Sequence, residues 1–321
     1  MDFTLQTLTA AINEVPHLPT ELANSGLFSY AGVATTSIEV ESDGYTLRLV
    51  QSKPRGGAPQ SMGRRTRKTR TFKIPHFPQA DEIFADEIQD VRAFGTQEQP
   101  DMLSTRVAEV LTIGSNNHDL TMEYHRWGAL AGIVYDADGS VLYNFFDEFG
   151  VAQNTIDFVL DNAATEVRVK CAAALDSIGQ ELGGVSFSGA DGWCGTEFFD
   201  ALITHKTVKE TWQATARAAD QAGAVPDTFS YGGILWHRSR ARNGNTPMVP
   251  ATKARIVPRG VPNLLLGRHA PANYNETVNT VGVPMYAKAI EKRNGTGYDL
   301  EMQGNTIHLP TRPRAILEAS I

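Results

Sequence analysis

The chain is short of most of the residue patterns that carry chemistry. It has only two cysteines, Cys171 and Cys194, in 321 residues. Two cysteines make no disulfide framework, so free thiols in a reducing compartment are the expected state. No run approaches the roughly 18 apolar residues of a membrane helix, which leaves no place for a membrane partner. The segment Met1-Asp2-Phe3-Thr4 has no basic stretch leading into an apolar run, so no signal peptide is expected. There is no G-x-S-x-G, no P-loop and no dinucleotide glycine pattern. The eight histidines are scattered. His118 and His125 could share a helix face, but they are two turns apart, too far for one ion. Cys171 falls on an apolar helix face and reads as core. Asp136-Ala137-Asp138-Gly139 lacks the later ligands of a calcium loop and reads as a turn. These absences predict no enzyme, no metal and no cofactor. Net charge is -7, which excludes nucleic-acid binding by bulk electrostatics.

Against this plain background one stretch stands out. Ile38-Glu39-Val40-Glu41 alternates, Ser42-Asp43-Gly44 marks a turn, and Tyr45 to Leu49 alternates again. A tip rich in Gly and Pro follows, and the chain returns through Thr66 to Ile74. This predicts a β meander over 37–77, with a long ribbon at about 46–74. Between Lys53 and Lys73 lie eight basic residues and no acid: Lys53, Arg55, Arg64, Arg65, Arg67, Lys68, Arg70 and Lys73. Little of such an arm is expected to pack in its own subunit, and the tip Lys53 to Arg65 is expected to be mobile in an isolated one. The sign then reverses, with Asp81, Glu82, Asp86, Glu87 and Asp90 within ten residues. Ile83, Phe84, Ile88 and Val91 sit among them at loosely helical spacing, so the plain reading is a solvated helix face. The arm has two readings: it binds nucleic-acid phosphates, or it docks on the acidic run of another copy. The first wants interleaved aromatic residues, and only Phe72 is present.

Elsewhere the periodicity is clearer. Residues 1–36 read as an N-terminal arm with a short helix over Leu5 to Asn13. Pro75 to Pro78 is an extended connector. Leu103, Val107, Val110, Leu111, Gly114, Leu120, Tyr124, Trp127 and Leu130 predict one long helix from about Gln97 to Ala131, capped at Thr96 and roughly 50 Å long. Gly132 to Phe149 reads as a hairpin and Thr155 to Leu160 as a strand. Ala163 to Leu182 reads as a helix stopped at Gly183-Gly184. A strand near Gly192 to Cys194, helices over Thr196 to Thr204 (capped by Thr196) and Thr207 to Ala219, and strands over Phe229 to Trp236, Ala254 to Val257 and Leu264 to Leu266 make an α/β lobe. Strands over Met285 to Ile290, Tyr298 to Met302 and Arg314 to Leu317 close the chain.

Several strings are more specific than these patterns. They are Pro54-Arg55-Gly56-Gly57, Ile74-Pro75-His76-Phe77-Pro78, Ala85 to Gly95, Glu123-Tyr124-His125-Arg126-Trp127-Gly128-Ala129-Leu130 and Asp136 to Ser140. Cys194-Gly195-Thr196-Glu197-Phe198-Phe199-Asp200, Ala270 to Thr280 and Thr311-Arg312-Pro313-Arg314 complete the set. In this order the chain resembles the lambda-type phage major capsid protein family (the major capsid protein E family). The resemblance implies an α+β, HK97-type capsid fold with an N-terminal arm, an extended loop, a spine helix, and peripheral and axial domains. It places the arm at 1–36, the meander with its extended loop at 37–77 and the peripheral domain at 78–165. The axial domain is mainly 166–270, and 271–321 return to the peripheral domain. It implies hexamers and pentamers of an icosahedral shell around double-stranded DNA, assembled in the host cytoplasm. Scaffold, portal, maturation protease and a decoration protein are the implied partners, with DNA held nonspecifically. The basic arm then meets the acidic run of a neighbouring copy. No Lys–Asn crosslink pair matches.

Overall fold

The computed structural model describes residues 4–42, 68–88, 102–215 and 227–321. They fall into two compact units. The first comprises Met1–Ile38, Thr71–His125 and Leu266–His308; the second comprises Glu39–Arg70, Arg126–Leu265 and Leu309–Ile321.

The first unit is built on a three-stranded antiparallel sheet ordered Met285–Glu291, Gly297–Gly304, Phe77–Phe84. The long helix, Met102–Ala131, packs on it with the part before Arg126. Val107, Val110 and Leu111 join Ile83, Met285, Ala287, Leu300 and Met302 in one buried cluster, together with Leu8 and Ile12 of the N-terminal helix Leu5–Glu14. These positions recur at three- and four-residue spacing on the helices and at two on the strands, which is how both element types present one apolar face. Gly114 does not break the helix, although glycine costs about 1 kcal/mol in a helix interior. A Cβ there would lie 2.2 Å from the Met302 sulfur, so the missing side chain lets helix and sheet approach. Gly304 does the same for His118, whose ring carbon a Cβ would meet at 1.9 Å. A second three-stranded sheet is ordered Phe28–Gly32, Leu265–His269, Thr306–Pro310.

Two buried carboxylates tie the N-terminal segment to the long helix. Asp119 accepts from the Leu18 amide at 2.9 Å and lies 3.2 Å from His17 Nδ1. Glu123 accepts from the Leu22 amide and the Thr20 hydroxyl, each at 2.8 Å. Four residues apart, they stand on one helix face.

The second unit holds a six-stranded mixed sheet, ordered Asn154–Asp157, Leu317–Ser320, Lys253–Pro258, Ala190–Cys194, Ile234–Arg238, Thr228–Tyr231. Its central strand is buried at all five positions. The helix Val167–Leu182 buries Val167, Cys171, Ala174, Ile178 and Leu182 and ends at Gly183 in the left-handed region. Burial holds the Cys171 thiol up at about 12, and it pushes Cys194 up as well. Phe158, Phe198 and Trp236 form an aromatic nest with centroids 5.7–5.9 Å apart. Glu318 accepts from Arg255 at 2.6 Å and Lys253 at 2.7 Å, which pairs an otherwise costly buried charge.

Several expectations are corrected by long-range pairing. Asp81 and Glu82 lie on the strand Phe77–Phe84, and the helical turn begins only at Ala85 and runs to Ile88. Eight residue pairs with Gly297–Gly304 outweigh the local helical spacing. The meander order is also corrected: Ser37–Ser42 pairs directly with Lys68–Lys73, first with third. The hairpin of Ile133–Tyr135 and Val141–Asn144 is followed by a helix, Phe145–Phe149, because Asn144 Oδ1 accepts from the Phe146 amide at 3.2 Å. Gly195, not Thr196, is the N-cap of Thr196–Thr204. Pro313–Ala315 form a 3₁₀ turn, so the last strand is Leu317–Ser320. That strand pairs with Lys253–Pro258 in the six-stranded sheet. The cap at Thr96 and the meander strand Tyr45 to Leu49 lie outside the described residues.

Candidate intersubunit surface

The expected surface has a basic stem and an acidic strand. In the stem, Ile38, Val40, Phe72 and Ile74 are buried, each at 8% exposure or less. Alternation therefore seats one face of Lys68–Lys73 and leaves Thr69, Thr71 and Lys73 outward. This corrects the expectation that little of the arm packs in its own subunit: the stem packs. The Arg70 guanidinium lies 5.0 Å from the centroid of the Phe149 ring, a cation–π contact. Lys53, Arg55, Arg64, Arg65, Arg67 and the expected mobile tip lie outside the described residues, as do Asp90 and the side chains of Lys68 and Glu87.

On the acidic side, Asp81, Glu82 and Asp86 are exposed. Asp81 accepts from the Glu82 amide at 2.9 Å, a local bond that fixes its carboxylate over the strand. Glu82 is already engaged within the subunit. Its carboxylate is 2.7 Å from Lys292 Nζ, which also lies 2.8 Å from Asp299. Hydrogen bonds to Asp299 and Glu82 raise the Lys292 pKa. The ammonium sits 4.6 Å from the Phe84 ring centroid as well. Lys292 was no part of the sequence reading, since it lies over 200 residues from Glu82 and meets it only through sheet pairing.

The backbone beneath these acids matters as much as the charges. Phe77–Phe84 is an edge strand, and no described strand pairs with its outer side. Pro78, which cannot donate to a ladder, is tolerated there for that reason. The opposite edge of the same sheet is closed. Asn13 Nδ2 donates to the Met285 carbonyl at 2.8 Å, Asn13 Oδ1 accepts from the Met285 amide at 3.3 Å, and Thr9 Oγ1 accepts from the Ala287 amide at 3.3 Å. Two side chains of the N-terminal helix thus stand in for a missing strand. An open edge flanked by exposed carboxylates can take an extended basic segment, through backbone hydrogen bonds and charge together.

No group of three or more His, Cys, Asp or Glu side chains is gathered as metal ligands among the described residues. His118 and His125 are both buried, the latter with its ring 5.1 Å from Phe77. Asp136 to Ser140 form a closed turn in which the Ser140 amide donates to Asp138 at 2.8 Å, and the Ser140 hydroxyl, then its amide, hold that carboxyl below its usual range. No described helix is long and apolar enough to cross a membrane.

The described residues thus combine a 30-residue helix on a small sheet with an edge strand that carries exposed acids. The model of the family described as phage major capsid protein E matches residues 4–321. The chain belongs to that family. It is 26% identical over 99% of its length to the major capsid protein of Pseudomonas phage KPP10, covering 96% of that protein. It is 24% identical over 98% of its length to the major capsid protein of Salmonella phage Felix O1, covering 95% of it. Among solved structures it is similar to the subunit of the cyanophage A-1(L) capsid, with a TM-score of 0.53 at 12% identity, covering 94% of this chain and 93% of that one. The fold is accordingly an HK97-type capsid fold, and the protein is a phage shell-forming protein of the virion capsid. The reading of the basic arm as a nucleic-acid-binding module is not favoured.

Proposed function

We propose that this chain forms hexamers and pentamers of an icosahedral head that encloses double-stranded DNA. The observation that carries the reading is the family match over residues 4–321, combined with the open acidic edge at Phe77–Phe84. Residues 78–165 serve as the peripheral domain, with Met102–Ala131 as its spine, 166–270 mainly as the axial domain, and 271–321 return to the peripheral domain. The basic residues Lys53, Arg55, Arg64, Arg65, Arg67, Lys68, Arg70 and Lys73 of one copy meet Asp81, Asp86, Glu87 and Asp90 of a neighbour. Glu82 serves there through its Lys292 pair. The net charge of -7 suits a container whose wall does not condense its cargo. The subunit acts without a cofactor and without catalysis. Scaffold, portal and maturation protease act on it in the host cytoplasm, a decoration protein can follow, and DNA contacts are nonspecific.

Co-expression with a scaffold tests this directly. Large closed particles by electron microscopy are expected, and monodisperse small oligomers alone would overturn the reading. Reversing Arg67, Lys68 and Arg70 to Glu is expected to abolish particles while the subunit stays folded. Steep, salt-dependent DNA affinity lost in the same variant would favour nucleic-acid binding instead.

A further inference from the structure

The two most exposed large hydrophobic side chains among the described residues are Val278 and Val281, at 64% and 65% exposure. They stand three residues apart on one loop, between the strands Leu265–His269 and Met285–Glu291. Exposed aliphatic residues scattered singly need no explanation. These two share a tip that is built.

The loop's polar groups are turned inward. Thr277 Oγ1 donates to the Ala272 carbonyl at 2.6 Å, and Thr280 Oγ1 donates to the Thr277 carbonyl at 2.8 Å. The Gly282 amide donates to Val33 at 2.9 Å, and the Val283 amide donates to the Tyr286 hydroxyl at 3.2 Å. Asn279 takes the left-handed conformation, φ 60°, that the turn between the two valines demands. Gly282 lies so close to the backbone that a Cβ would be 2.1 Å from the His269 carbonyl oxygen. The hydroxyls are thereby satisfied within the loop, and the valines are what the tip presents.

Charge is missing from the same place. From Thr277 to Ala287 there is no Asp, Glu, Lys or Arg, in a chain that is 20% charged. The flanking Glu276 and Lys288 neutralise each other at 2.7 Å. In a subunit of net charge -7 this is an unusual surface. At a rotation axis the same residue of every copy converges, so any charge there meets its own sign. A rigid, uncharged tip with two exposed valines meets that requirement.

We propose that the 277–283 tip is a contact between identical tips: copies of this chain converge at a symmetry axis of the shell and bury Val278 and Val281 against one another. The proposal rests on the shell-forming reading and adds where copies meet. It is tested by co-expressing three forms with scaffold: the Val278→Asp/Val281→Asp variant, the Val278→Lys/Val281→Lys variant, and both together. Each variant alone is expected to lose closed particles with the melting midpoint of the free subunit unchanged, and the mixture is expected to recover them. Normal assembly of the Asp variant would overturn the proposal. So would failure of the mixture, since that outcome means the valines face a different surface. As a second measurement, Val281→Cys is expected to give disulfide-linked pairs in oxidised particles and none in free subunits. Particles without the crosslink would overturn the proposal even if the charged variants fail to fold. Absence of particles from the unmodified chain would count against the shell reading rather than the tip.

Discussion

The two edges of one three-stranded sheet are treated in opposite ways. At Met285–Glu291 the edge is closed from within, by Asn13 and Thr9 of a helix whose Leu8 and Ile12 are buried in the core. At Phe77–Phe84 the edge has no partner among the described strands and carries Pro78, Asp81 and Glu82. An unguarded edge is a template for unwanted pairing. The closed edge uses apolar burial and side-chain hydrogen bonds, which stabilise the subunit. The other edge carries exposed charge, which contributes little to an isolated subunit. On the proposed function, stability and assembly fall to different edges of the same sheet.

The contrast can be broken at several points. The largest expected effect is at the closed edge. Ile12→Ala removes a fully buried side chain and should cost about 2–5 kcal/mol, read from the urea midpoint at constant m-value. Asn13→Ala leaves the Met285 amide and carbonyl without their partners, at about 1–3 kcal/mol; a loss below the error of the melt would mean that water replaces them. Hydrogen exchange gives a finer comparison. The Met285 and Ala287 amides should exchange more slowly than the outward amides of Phe77–Phe84, and equal rates would erase the distinction. The smallest effect on folding is at the open edge. Asp81→Lys should change subunit stability by no more than about 0.5 kcal/mol and yet reduce particle yield. Undiminished assembly would remove Asp81 from the contact.

Much of the local structure was legible in the residues. The N-terminal helix, the long helix and Val167–Leu182 follow from periodicity and stop signals, which act within a few residues. The strand Thr306–Pro310 was missed. Its Thr306 and His308 are polar yet 1% exposed, so no alternation announces it. Asp81 and Glu82 read as helical because Ile83 and Phe84 follow a pattern that only pairing with Gly297–Gly304 overrides. In the candidate surface, the charges of both partners could be read directly. That Glu82 is occupied could not, because Lys292 reaches it across the sheet.

The sequence by itself determined the main helices, the charge reversal between arm and strand, and, through its ordered strings, the capsid family. Those depend on short-range sterics, on side-chain charge and on residue identity. Only the tertiary structure decided which edge is closed, which carboxylate is engaged and which valines are exposed. Each of those is settled by a partner far away in the chain. The Asn13 contact spans 272 residues and the Glu82 contact 210, distances over which no local pattern specifies a neighbour and only the packed core brings the groups together.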